Sequence, residues 1–143
     1  MPKLTFLQLE PIKLPIVARF YKEFYPAGKP KRDEAIFLTY QENTLIGSVR
    51  FKSIDKHQLL TGMLIHPDYR QQGIGHQLME FCRQRINLTG CYCFAFEHLV
   101  PFYSQHGFQS LEPQKLPPSL LGRFNRYSNS GKSLCAMIFI SNP

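Results

Sequence analysis

The chain has 143 residues, which suits one compact domain with one core and argues against two. A hydrophobic fraction of 43%, with 12 Phe and 7 Tyr, excludes a disordered chain, and no apolar run approaches the ~20 residues needed to cross a bilayer. The formal net charge of +7, from 17 basic and 10 acidic residues, suits an anionic partner: nucleic acid, an acidic substrate or a phosphorylated cofactor.

The N-terminal stretch MPKLTFLQLEPIK lacks the apolar core of a signal peptide, so a cytoplasmic location is expected. Residues 3–9 alternate well enough for a first strand. Residues 12–25 then set Ile16, Val17, Phe20 and Phe24 on one helical face, and Pro26, Gly28 and Pro30 stop that helix. AIFLTY and LIGSVRF flank QENT, which reads as an antiparallel hairpin. KSIDKHQ reads as a second connection, leading to the strand LLTGMLI. A helix is predicted from Gly73 to Asn87, with Ile74, Leu78, Phe81, Cys82 and Ile86 at helical spacing. Arg83 and Arg85 sit in its last turn, where cations favour the negative end of the helix dipole. CYCFAF reads as a buried strand, VPFYSQH as a short helix ending at Gly107, and FQSL as a strand. Residues 112–133 hold three of the eleven prolines, several serines and two glycines, and read as a long irregular segment. SLCAMIFI is the final strand. The order is mixed α/β, with helices interrupting a sheet that begins antiparallel.

The four cysteines (Cys82, Cys91, Cys93 and Cys135) follow no disulfide or zinc spacing. Cys91 and Cys93 fall two apart on a strand, face the same side, and read as buried free thiols. No metal is expected.

The chemistry concentrates in HPDYRQQGIGHQLMEF, residues 66–81. The dinucleotide fingerprint G-x-G-x-x-G fails at Leu78. The P-loop suggested by GKS at Gly131–Ser133 fails at Arg126, and a strand follows it where a helix is required. The pattern R-x-x-G-x-G is met by Arg70, Gln71, Gln72, Gly73, Ile74 and Gly75. A helix start leaves its first N–H groups without intrahelical partners and carries partial positive charge. Glycines there let a pyrophosphate approach the backbone. No Asp or Glu lies between Tyr69 and Met79, where an acid would repel phosphate. The same residues would also serve as a strand–turn–helix joint whose glycines ease close packing.

LLTGMLIHPDYRQQGIGHQLMEF strongly resembles the acetyl-CoA-binding core of the GNAT superfamily of N-acetyltransferases, and HLVPFYSQHGF resembles that family's FYxxxGF segment after the fifth strand. The two motifs span Leu59 to Phe108 in the family's order and spacing. The resemblance implies a single GNAT-like domain over residues 1–143, with a mixed sheet whose fourth and fifth strands splay to admit acetyl-CoA. It implies that backbone groups of Met63, Leu64 and Ile65 hold the pantetheine arm and acetyl carbonyl, with Arg70 a cation at the mouth. Amides of Gln71, Gln72, Gly73, Ile74, Gly75 and His76 would hold the pyrophosphate. Gln71 stands where many members carry glycine. The implied reaction is direct transfer: a neutral amine attacks the thioester, and Tyr103 matches the tyrosine that protonates the departing thiolate. Glu97, just past the fifth strand, is the nearest carboxylate and the candidate base, although an acid there also suits a helix N-terminus. His66 belongs to an HP turn.

The expected acceptor is a small-molecule amine or a peptide N-terminus. The segments implied to frame it, residues 21–32 and 112–132, carry Lys22, Lys29, Lys31, Arg32, Lys115, Arg123, Arg126 and Lys132 but few acids. That excess argues against a polyamine. No membrane partner is expected, nucleic acid is disfavoured because the basic residues form no stripe, and members of the superfamily often form homodimers. A CoA-binding sensor without transferase activity is the alternative.

Overall fold

The computed structural model describes residues 2–140. Its strands are β1 (Leu4–Gln8), β2 (Ala35–Gln41), β3 (Thr44–Ile54), β4 (His57–Ile65), β5 (Cys91–Phe96), β6 (Phe108–Ser110) and β7 (Leu134–Phe139). They form a seven-stranded mixed sheet in the order β1-β2-β3-β4-β5-β7-β6, the α/β fold class expected from the sequence. The α-helices are α1 (Leu14–Phe24), α2 (Ile74–Arg85), α3 (Val100–Ser104) and α4 (Pro118–Asn129). The chain divides into two compact units: residues up to Lys52 with Thr61–Ile86, and Ser53–Leu60 with residues from Asn87 on.

In the first unit β1 pairs antiparallel with β2, from Leu4↔Gln41 to Gln8↔Phe37, and β2 pairs antiparallel with β3 across the QENT turn. Glu42 takes a left-handed φ of 53° there, and the predicted hairpin is found. The buried face of α1 is Val17, Phe20 and Tyr21, packed with Leu9, Ile36, Leu38 and Leu64. Ile16, placed on that face from the sequence, is 46% exposed. The spacing 17, 20, 21, 24 is itself a complete helical stripe, and Ile16 lies about 100° around the helix from Val17. Helix α2 ends at Arg85, two residues short of the prediction, and buries Ile74, Leu78, Met79 and Cys82. Phe81 is half-buried and stacks on Phe6 at 5.8 Å.

In the second unit the expected KSIDKHQ connection shrinks to a turn at Asp55 and Lys56, because β3 continues to Ile54 and β4 starts at His57. Asp55 adopts a φ of 55°, a left-handed conformation that aspartate tolerates better than most residues. Gln58–Leu60 of β4 pair in parallel with Cys91–Cys93 of β5. β5 pairs antiparallel with β7, and β7 with β6. Along β5, Cys91, Cys93 and Ala95 are buried while Tyr92, Phe94 and Phe96 are half-buried, the alternation of a strand with two unlike faces.

The largest departure from the sequence reading is at residues 112–133, which are not irregular. Pro113–Lys115 form a 3-10 turn and α4 follows for 12 residues. Pro117 is its N-cap and Pro118 its first residue, a position where the missing N–H has no intrahelical partner to lose. Leu120, Leu121 and Phe124 then recur at helical spacing, and Leu120 and Phe124 are buried with Leu59, Leu116 and Ala136. The prolines start this helix and do not break one.

Candidate functional site

β4 ends at Ile65, and His66 caps the 3-10 turn Pro67–Tyr69 by accepting at Nδ1 from the Asp68 N–H at 3.1 Å. Its ring packs against Phe24 and Tyr69, with centroids 4.4 and 5.1 Å away, so His66 is the turn residue its HP setting suggests. Arg70 folds back, and its Nε donates to the Ile65 carbonyl at 3.0 Å. The end of β4 and the glycine turn are thereby tied together.

The turn reaches α2 through two left-handed residues, Gln71 at φ 63° and Gly73 at φ 79°. Gly73 is the N-cap. No side chain caps α2 and no acid lies in its first turn. Gln71, Gln72, Gly73 and His76 are exposed, Gly75 is half-buried, and Ile74 anchors the turn in the core. An exposed helix start that lacks both a capping oxygen and a carboxylate presents N–H groups and partial positive charge, the requirement for an anion. Of the three β4 residues expected at the site, Leu64 is buried while Met63 and Ile65 are half-buried.

Directly before them lies a buried polar network that sequence reasoning missed. Arg50 on β3 donates from Nη1 to Glu34 Oε1 at 2.7 Å and to the Lys29 carbonyl at 2.8 Å. Both side chains of this ion pair are nearly inaccessible, at 5% and 2% exposure. Glu34 also accepts from the Lys31 N–H and, at Oε2, from Thr61 Oγ1, each at 2.7 Å. The Arg50 guanidinium lies 4.7 Å from the centre of the Tyr21 ring. The Tyr21 hydroxyl donates to the Gly62 carbonyl at 3.1 Å and lies 3.2 Å from Ser48 Oγ. Burial pushes the Tyr21 phenol up, offset in part by the Arg50 charge. The available signal was the lone arginine of LIGSVRF, a charge inside an otherwise apolar strand that demands a buried partner.

In the second unit Tyr103 of α3 is 4% exposed, with its ring edge-on to Phe102 and Phe108. Its side chain hydrogen-bonds the Cys93 thiol, which burial nonetheless pushes far up. Glu97 is exposed and opens the 3-10 turn Glu97–Leu99. All four cysteines are free; Cys91 and Cys93 are buried, as the sequence suggested, and Cys82 is buried as well. Burial pushes the Cys82 and Cys91 thiols up to about 12. Among the described residues no group of three or more His, Cys, Asp or Glu could hold a metal ion, and no helix is long and apolar enough to cross a membrane.

A mixed sheet whose β4 runs through a short turn into an exposed helix start with no acid in its first turn defines an α/β protein with a positively polarised helix end beside that turn. Residues 32–110, more than half of the chain, match the family described as the acetyltransferase (GNAT) domain, and the chain belongs to that family. No curated protein sequence matches it. Among solved structures, it is similar to N-acetylglutamate synthase from Neisseria gonorrhoeae complexed with coenzyme A and N-acetyl-glutamate, with a TM-score of 0.71 and 13% identity. That match covers 99% of this chain and 36% of the synthase, so the chain spans about a third of that relative. Ribosomal-protein-S18-alanine N-acetyltransferase from Escherichia coli is similar over 95% of this chain and 91% of its own, with a TM-score of 0.63 and 16% identity. Rv2747 from Mycobacterium tuberculosis, in complex with CoA and NLQ, is similar over 96% of this chain and 99% of its own, with a TM-score of 0.70 and 13% identity.

Proposed function

We propose that the protein transfers an acetyl group from acetyl-CoA to an amine. The observation that carries this reading is the exposed start of α2, free of acids and of a side-chain cap and entered through left-handed Gln71 and Gly73. Acetyl-CoA supplies the acetyl group as a thioester. The amides of Gln71, Gln72, Gly73, Ile74, Gly75 and His76 bind its pyrophosphate, and backbone groups of Met63, Leu64 and Ile65 hold the pantetheine arm and acetyl carbonyl. Arg70, tethered to Ile65, adds a cation beside the phosphates. An N-acetylglutamate synthase and an alanine N-acetyltransferase among the similar structures support an amine as acceptor.

Tyr103 is the general acid. A phenol of ordinary pKa about 10 stays protonated at neutral pH and can donate to a departing thiolate. Glu97 is the candidate base, with proton transfer through water the alternative.

Thermal unfolding with rising acetyl-CoA tests the donor: stabilisation should grow as RT ln(1 + [L]/Kd), and none at saturating ligand overturns the reading. Thiol release, followed with a panel of amino acids, peptides and polyamines, tests transfer. Tyr103→Phe should retain the stabilisation and slow release about 100-fold, within the range typical of a lost general acid. Unchanged release removes Tyr103 from that role. Stabilisation with no release for any amine identifies a CoA-binding sensor instead.

A further inference from the structure

The guanidinium of Arg50 carries an unmet demand. Its Nε is buried and has no hydrogen-bond partner among the described residues, a costly state in a folded protein that requires a compensating reason. A Cβ placed on Gly62 would lie 2.9 Å from Nη2, 3.2 Å from Nε and 3.5 Å from Cζ of that guanidinium. Two similar distances to the nitrogens and a longer one to the carbon put that point near the guanidinium plane, in front of the Nε/Nη2 edge. The edge that carries the orphaned Nε therefore faces the α-carbon of Gly62, and a side chain at that position would close it off.

The same two residues of β4 receive the rest of the network. Tyr21 donates to the Gly62 carbonyl, and the Thr61 hydroxyl donates to Glu34. Glu34 is itself fixed by Arg50 and by the Lys31 N–H. Thr61 and Gly62 are thus held from three directions by side chains of α1, β3 and the segment before β2. The next residues are Met63, Leu64 and Ile65.

We infer that Tyr21, Glu34, Arg50 and Thr61 are positioning residues that fix the backbone of β4 so that Met63–Ile65 meet the pantetheine arm and acetyl group of the donor. This rests on the proposed acetyl-CoA reading. It explains the orphaned Nε: packing that edge against Gly62 holds the strand at the expense of one hydrogen bond. The network's hydrogen bonds run to β4 and the segment before β2 and not to Gln71–Gly75, so its loss should leave the phosphate contacts intact.

The test uses two ligands that share the phosphates. Isothermal titration of the full chain with acetyl-CoA and with 3′-phosphoadenosine 5′-diphosphate, which lacks the pantetheine arm, gives two dissociation constants per variant. In the wild type, acetyl-CoA should bind more tightly than the nucleotide. Tyr21→Phe and Thr61→Val should each weaken acetyl-CoA about five- to tenfold, the effect of one displaced hydrogen bond, and leave the nucleotide within about twofold. Thr61→Ser, which keeps the hydroxyl, should restore the acetyl-CoA constant. Parallel weakening of both ligands marks general structural damage and overturns the positioning role, as does no change in either. Equal wild-type affinity for the two ligands overturns it as well. A wild-type chain that binds neither ligand removes the donor reading, and the positioning role with it.

Discussion

Glu34→Gln isolates the charge of the buried ion pair from its shape. The amide can keep each contact: its oxygen accepts from Arg50 Nη1 and the Lys31 N–H, and its nitrogen donates to Thr61 Oγ1. Thr61 can then turn its proton to the Arg50 carbonyl, 3.4 Å away. What cannot be kept is the charge beside a guanidinium whose side chain is 5% exposed. Breaking a buried pair generally costs 3–5 kcal/mol, and retained hydrogen bonds put this case at the low end, about 3 kcal/mol. At roughly 2–4 °C per kcal/mol for a chain near this size, the melting temperature should fall by about 6–12 °C. Urea unfolding followed by far-UV circular dichroism suits a chain with no Trp. Adding Arg50→Met removes the orphaned charge and leaves a flexible side chain on the Tyr21 ring, so the double variant should recover at least half of the loss. A single variant within about 1 kcal/mol of wild type, or a double variant no better than the single, refutes the claim that the pair is buried and coupled.

Gly62→Ala should destabilise by about 1–3 kcal/mol in the same assay, because the new Cβ meets a guanidinium that Glu34 and Lys29 prevent from moving aside. Gln71→Gly should stabilise by up to about 1 kcal/mol while preserving acetyl-CoA binding, since it removes a side chain from a φ of 63°. Stability should fall as pH rises from about 9 toward 12, because the unfolded state loses the Cys82 and Cys91 protons that the folded state still holds. The slope is about 1.4 kcal/mol per pH unit for each thiol, checked by urea titrations against a Cys82→Ala/Cys91→Ala variant, which should be flatter. Native Cys135, half-buried, should react first with a thiol reagent, and the three buried cysteines only on unfolding.

The β2–β3 hairpin, the strand CYCFAF and the start of α2 were legible because each depends on neighbours in sequence: alternation, a turn, a glycine at the right offset. The acid-free first turn of α2 is likewise a local fact. Helix α4 was hidden for a local reason too, since prolines that begin a helix read like prolines that end one until the stripe Leu120, Leu121, Phe124 is weighed against them. KSIDKHQ failed differently. Its polar residues look like a loop, but pairing in the sheet carries the strands to within two residues of each other.

By itself, the sequence determined the fold class and the acid-free start of α2, because the turn, its glycines and the first helical turn are consecutive residues. Tertiary structure alone decided the environment of Glu34, Arg50 and Thr61. Their contacts join residues 16 and 27 positions apart, and Tyr21 reaches Gly62 across 41. A charge buried at such distances leaves no periodic trace along the chain, and only folding brings its partner to it.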